Sequence, residues 1–130
     1  MQNMANTGVI ILSTFPSEEL AAEVANHVVN AKLCACVNFT KIRSIYSWHG
    51  KIEDQHEFLV LFRATSKSAK QLKAEIVRLH PYEVPEIVEL KMSNVSKPYL
   101  SWLAAESMYR VAKKRHNATK RRDTKPNIRR

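Results

Sequence analysis

Between residues 80 and 87 the chain reads HPYEVPEI, a histidine, a tyrosine and two glutamates set among two prolines. Proline fixes φ, lacks an amide donor and pushes the preceding residue into extended geometry. His80 and Val84 are therefore biased out of helix, and the segment between them is stiff. A stiff loop with an imidazole, a phenol and carboxylates has the makings of a ligand platform, and equally of a rigid splice between two elements. Cys34 and Cys36 form a second candidate group. In a strand they would share a face with Cα atoms ~6.5–7 Å apart. That is wide for a disulfide but close enough for two thiolates to share a soft ion such as Cu(I). Core packing competes with this, because cysteine is among the most buried residue types and the pair lies between Leu33 and Val37. A third group, Trp48, Lys51 and Glu53 with Tyr46 and Trp102, supplies aromatic surface and charge. Aromatics in such positions pack interfaces more often than they cage ligands.

Other chemistry finds no support. The histidines, His27, His49, His56, His80 and His116, include no HxH or HxxxH pair, so no self-contained zinc site is written in the chain. With only Gly8 and Gly50 there is no glycine-rich phosphate loop, and no serine or cysteine nucleophile motif is present. Glu83 and Glu86 are of the right type for acid–base work, but nothing near them in sequence would raise either pKa. No enzymatic activity and no obligatory cofactor are expected.

The chain has 130 residues, 45% of them hydrophobic, enough for one core. It contains no apolar run of ~18 residues to span a membrane, and its start, MQNMANTG, lacks the features of a secretory signal. A cytoplasmic protein with free thiols is the expectation. The net charge of +9 is local: Arg110 to Arg130 holds ten Lys or Arg residues and one acid, which leaves the body balanced. Residues 1–7 read as a short N-terminal segment, 8–110 as the folded domain and 111–130 as a basic, disordered tail. Lys113, Lys114, Arg115, Lys120, Arg121 and Arg122 suit weak, non-specific contact with nucleic acid or acidic surfaces, or simply solvation.

The elements that must position these groups follow from periodicity. GVIILST (8–14) suits a buried strand. A helix follows, capped by Ser17, with Leu20, Val24, Val28, Ala21 and Ala25 on its apolar face. The next strand changes phase, apolar at Val37 and Phe39 but then at Ile42, Tyr46 and Trp48, which predicts a bulge. After a turn at Gly50, HEFLVLFRAT returns as a strand apolar on both faces. A second helix carries Ala69, Leu72, Ile76 and Leu79, with Ser66 as its cap, and stops at Pro81. PEIVELKMS is a last strand, and a third helix starts at Ser96 with Pro98 in its first turn. The order βαββαβ plus a terminal helix is that of an α+β, ferredoxin-like sandwich with a long central hairpin. Helices on one face leave the other needing cover, which points to an oligomer.

With these pieces assembled, the chain resembles the CutA divalent-ion tolerance family. The matching stretches are ACVN (35–38), SIYSWHGKIE (44–53) followed by Glu57, LHPYEVPEIVEL (79–90) and YLSWL (99–103). The resemblance implies a homotrimer built from the long hairpins, similar to PII signalling trimers. It also implies a cytoplasmic setting, association with copper and other divalent ions, and no established catalysis. On this reading His80 is the first metal ligand and Cys36 a second. Trp48, Lys51, Glu53, Tyr82 and Glu83 line a cleft between subunits that would alternatively hold a small ligand, as in a PII-like sensor. Ser13 and Leu79 stand where some members carry a further cysteine and histidine.

Overall fold

A computed structural model describes residues 7–108. In chain order it contains β1 (Gly8–Phe15), α1 (Glu18–Asn30), β2 (Cys36–Trp48), β3 (Lys51–Thr65), α2 (Ala69–Leu79), β4 (Val88–Lys91) and α3 (Lys97–Glu106). The four strands form one antiparallel sheet in the order β2-β3-β1-β4, the ferredoxin-like arrangement. The basic tail residues Lys113, Lys114, Arg115, Lys120, Arg121 and Arg122 lie outside the described residues.

The Ser17 hydroxyl accepts from the Leu20 amide, with Glu18 and Glu19 beside the positive end of the helix. Ala21, Val24, Ala25 and Val28 of α1 and Ala69, Leu72 and Ile76 of α2 are buried. They pack on Val9, Ile11, Phe15, Val60, Phe62 and Ala64, the alternate residues of β1 and β3 that share one face. α1 ends in a Schellman turn: Leu33 N–H donates to Val28 C=O and Lys32 N–H to Val29 C=O. Lys32 takes the left-handed position usually given to glycine, at φ 62°. Its ammonium reaches Glu106 at the end of α3, 2.7 Å away.

The opposite face is not wholly bare. Gly8 precedes Val9, so alternation points its missing side chain away from α1 and α2. A Cβ there would lie 2.6 Å from Met92 Sδ and 3.1 Å from Leu103 Cδ2. The absent side chain thus lets α3 close down on one end of this face.

Two local expectations change. β2 contains no bulge, because its pairing with β3 runs in unbroken register from Cys36↔Arg63 to Trp48↔Lys51. The burial phase shifts instead because the covered side shifts: Val37 and Phe39 face the helices, whereas Ile42, Ser44, Tyr46 and Trp48 are half-buried on the other face. Ser66 does not cap α2; the N-cap is Ser68, and its hydroxyl donates to Leu33 C=O at 2.8 Å. Ser66 instead joins Thr7, whose hydroxyl donates to it at 2.9 Å.

Candidate functional site

The HPYEVPEI segment begins where α2 stops. Pro81 forces His80 into extended geometry, φ −74° and ψ 138°, and this swings its ring into the sheet. His80 is fully buried and stacks on Phe15 at 4.2 Å between ring centroids. Its Nδ1 accepts from the Tyr82 amide at 3.1 Å, so the ring proton sits on Nε2. Nε2 donates to Thr14 C=O at 2.8 Å and lies 3.2 Å from Ser13 Oγ. Nε2 therefore ties the loop to the end of β1, and Nδ1 braces the loop on itself. For His80 to ligate a metal it would have to give up one of these bonds. Tyr82 is buried beside it, at 5.0 Å between rings, and Glu83 is exposed.

Cys34 lies before β2 rather than in it, and is buried in the core. Burial, reinforced by the neighbouring Cys36 thiol, pushes its pKa up to about 12, against a small opposing effect of the Cys36 amide. Cys36 is half-buried, its Sγ 3.7 Å from Asn38 Oδ1. Asn38 Oδ1 also accepts from Arg63 Nε at 2.7 Å, and Arg63 faces Cys36 across the strand pair.

Trp48, Lys51 and Glu53 sit at the hairpin tip. Trp48 is opposite Lys51, and Glu53 opposite Tyr46, whose hydroxyl accepts from Gln55 at 2.6 Å. The turn itself, His49-Gly50, uses left-handed φ values of 52° and 78°, which suit the twist of a two-residue hairpin. β1 ends at Phe15, opposite Phe58, so the seven residues from Lys51 to Glu57 run beyond it, roughly 24 Å of ribbon. His80 stacks on Phe15, so Tyr82 and Glu83 belong to the near end of that ribbon and Trp48, Lys51 and Glu53 to its far end. A single chain does not bring the five together.

Among the described residues no group of three or more His, Cys, Asp or Glu side chains is placed to hold one metal ion. The described residues of one chain therefore do not assemble a three-donor site. Sequence reasoning missed the polar cluster on the helical layer. Glu75 accepts from Arg78 through two bonds of 3.0 and 2.6 Å, and His27 Nε2 stands 2.6 Å from it. The Arg78 hydrogen bonds first, then His27, hold the Glu75 carboxyl below its usual range, against an opposing effect of burial. The i,i+3 spacing of Glu75 and Arg78 was a readable signal; the partnership with His27, on another helix, was not.

The family model of the CutA1 divalent ion tolerance protein matches residues 9–106. The divalent-cation tolerance protein CutA of Thermotoga maritima is 41% identical over 95 residues, covering 73% of this chain and 94% of its own. Two solved structures share the fold. The periplasmic divalent cation tolerance protein CutA of Archaeoglobus fulgidus superposes with a TM-score of 0.75 at 31% identity, over 77% of this chain and 98% of that one. The PII-like protein CutA of Nostoc, in its apo form, gives 0.73 at 31% identity, over 76% and 96%.

Proposed function

This chain belongs to the CutA1 divalent ion tolerance family and shares the PII-like CutA fold; on that premise we propose a homotrimer that binds copper or another divalent ion and supports metal tolerance without catalysis. One observation carries the assembly. The outer hairpin bears apolar side chains on both faces, Ile42, Tyr46 and Trp48 on one, Ile45 and Ile52 on the other, beyond the reach of β1. Ile45 and Ile52 are 64% and 73% exposed in the single chain. Covering such a ribbon takes another copy, and three is the number the family resemblance implies.

An ion held by this protein would draw its donors from more than one subunit, with the half-buried Cys36 and the carboxylates of Glu53 and Glu83 better turned for the task than His80. The absence of catalysis is supported by the Ser13–His80 pair. It is buried, and its ring nitrogen nearest Ser13 carries the proton, so it cannot act as a base toward that hydroxyl. The free thiols suit a reducing cytoplasm, although the Archaeoglobus relative is called periplasmic. No described helix is long and apolar enough to cross a membrane. The basic tail would add weak, salt-sensitive contact with nucleic acid or acidic surfaces.

The test pairs mass measurement by light scattering with equilibrium dialysis of Cu(II). A trimer with saturable uptake, reduced in Cys36→Ser, supports the proposal; a monomer, or unsaturable uptake equal in both proteins, refutes it. The Nostoc relative favours a second reading, a PII-like sensor with a small ligand between Trp48, Lys51 and Tyr82 of different copies. A rise in melting temperature with organic anions or nucleotides, and none with metal, would select it.

A further inference from the structure

We propose that the end of the molecule around Gly8 binds single-stranded nucleic acid, with phosphates on a band of cations and a base on Trp102. The inference is independent of the metal and trimer readings. It extends the tail contact proposed above to the body, whose charges sum to zero but are divided in space. One pole gathers the start of β1, the ends of β3 and β4, the end of α1, the start of α2 and α3. Bonds from the Ser66 amide to Thr7, the Met92 amide to Gly8 and the Ser68 hydroxyl to Leu33 hold it together. Seven of the eleven Lys or Arg residues between positions 7 and 108 lie in this half, with only two of the eleven carboxylates, Glu89 and Glu106. Lys73 and Lys32 take those two. Arg63, Lys67, Lys70, Lys91 and Lys97 remain, and among the described residues no carboxylate pairs with any of them.

The acids do not cancel this pole from a distance. Glu18 and Glu19 open α1, Glu83 and Glu86 lie in the loop after α2, and Glu53 and Asp54 lie in the hairpin, all toward the Phe15 end. The eight residues of β1 span about 26 Å, several times the Debye length of about 8 Å at physiological salt. A polyanion at the Gly8 end therefore meets five unspent cations. Lys91, opposite Val9, is on the helical face, and Arg63, opposite Ile10, is on the other, so the charges turn round the edge of the molecule. A flat acidic membrane meets one face only, whereas a flexible strand bends round both. Single strands also need a surface on which bases stack. α3 supplies one in Trp102, 44% exposed and tilted against Tyr99 at 5.7 Å between ring centroids. The helix ends at this same pole, with Glu106 on Lys32, shortly before the basic run that starts at Arg110.

The test is fluorescence anisotropy of a labelled single strand of about 16 nucleotides, titrated with the full chain over a range of salt. Lys70→Gln, Lys91→Gln and Lys97→Gln, combined in one variant, should weaken binding about tenfold. They should also make the slope of log K against log salt shallower by about two, at ~0.7 for each phosphate contact. Trp102→Ala should weaken binding about tenfold and leave the slope unchanged, whereas Trp102→Phe keeps a stacking ring and most of the affinity. Lys41→Gln, on the hairpin at the opposite pole, should change neither quantity. If circular dichroism shows that Trp102→Ala loses helix, the lysine variant, altered only at exposed positions, carries the test. Parent-like affinity and slope in the lysine variant overturn the proposal, as does binding to phosphatidylserine vesicles with none to the single strand. A full-length variant combining Lys120→Gln, Arg121→Gln and Arg122→Gln tests the tail separately. Loss of binding there, with the body lysines silent, sinks the pole and leaves the tail contact standing; the reverse pattern supports the pole and removes the tail.

Discussion

His80 shows how one residue can look like a ligand and act as a rivet. One nitrogen ties His80 to Thr14 across 66 residues of chain separation, the other accepts from the Tyr82 amide, and the ring fills the space over Phe15. His80→Ala would leave a buried carbonyl and a buried amide unpartnered and open a cavity, so a loss of about 3 kcal/mol is expected in urea unfolding. The loss should be the same with and without metal. Glu75 predicts a pH dependence. Its carboxyl is depressed when folded, so the stability it contributes is present above the unfolded value of 4.5 and is lost as pH falls through the folded one. Because the site is largely open to solvent, Glu75→Gln should cost only about 0.5 kcal/mol at pH 7. Urea midpoints of variant and parent should converge below pH 4.5.

Helices were the most legible elements. The Ser17 cap and the Val24–Val28 stripe lie in contiguous sequence, where a 3.6-residue period and one hydroxyl suffice. The α2 cap was misplaced by two residues because Ser66 and Ser68 are chemically alike. What separates them is contact with Leu33 and Thr7, set by tertiary structure. The supposed bulge failed for a related reason, since a change in which face is covered leaves the same trace in sequence as an inserted residue. The candidate site was legible as residue types but not as geometry. HPYEVPEI revealed its stiffness through its prolines, while the long-range bond that commits His80 is made to Thr14 of β1. At the end of α1, Lys32 holds a left-handed backbone that disfavours side chains. Lys32→Gly removes that strain and forfeits only an exposed ion pair with Glu106. A gain of about 0.5 kcal/mol, read as a higher melting temperature, is expected.

For the whole molecule, the sheet and its two packed helices make a complete core, and the hairpin makes an incomplete one. On the proposed assembly, the contacts would fall on the hairpin. Ile42→Asp and Ile52→Asp each put a charge on an apolar strip of the ribbon, and Ile42 faces the buried Glu57 across the strands. Both variants should lower the mass measured by light scattering toward that of one chain. Lys70→Asp, on the exposed side of α2, should leave it unchanged. Retention of full mass by both hairpin variants would place the contact elsewhere.

The overhang of the hairpin past Phe15 also has a consequence in time. A two-stranded ribbon has little independent stability in water, so residues 42–57 should close and open on a different clock from β1. On dilution, deuterium should enter the amides of Ile42–Glu57 early and those of Val9–Ser13 late. Raising the protein concentration should slow only the first group. The ribbon would then be the last part of the chain to become native, finished by an encounter rather than by its own sequence.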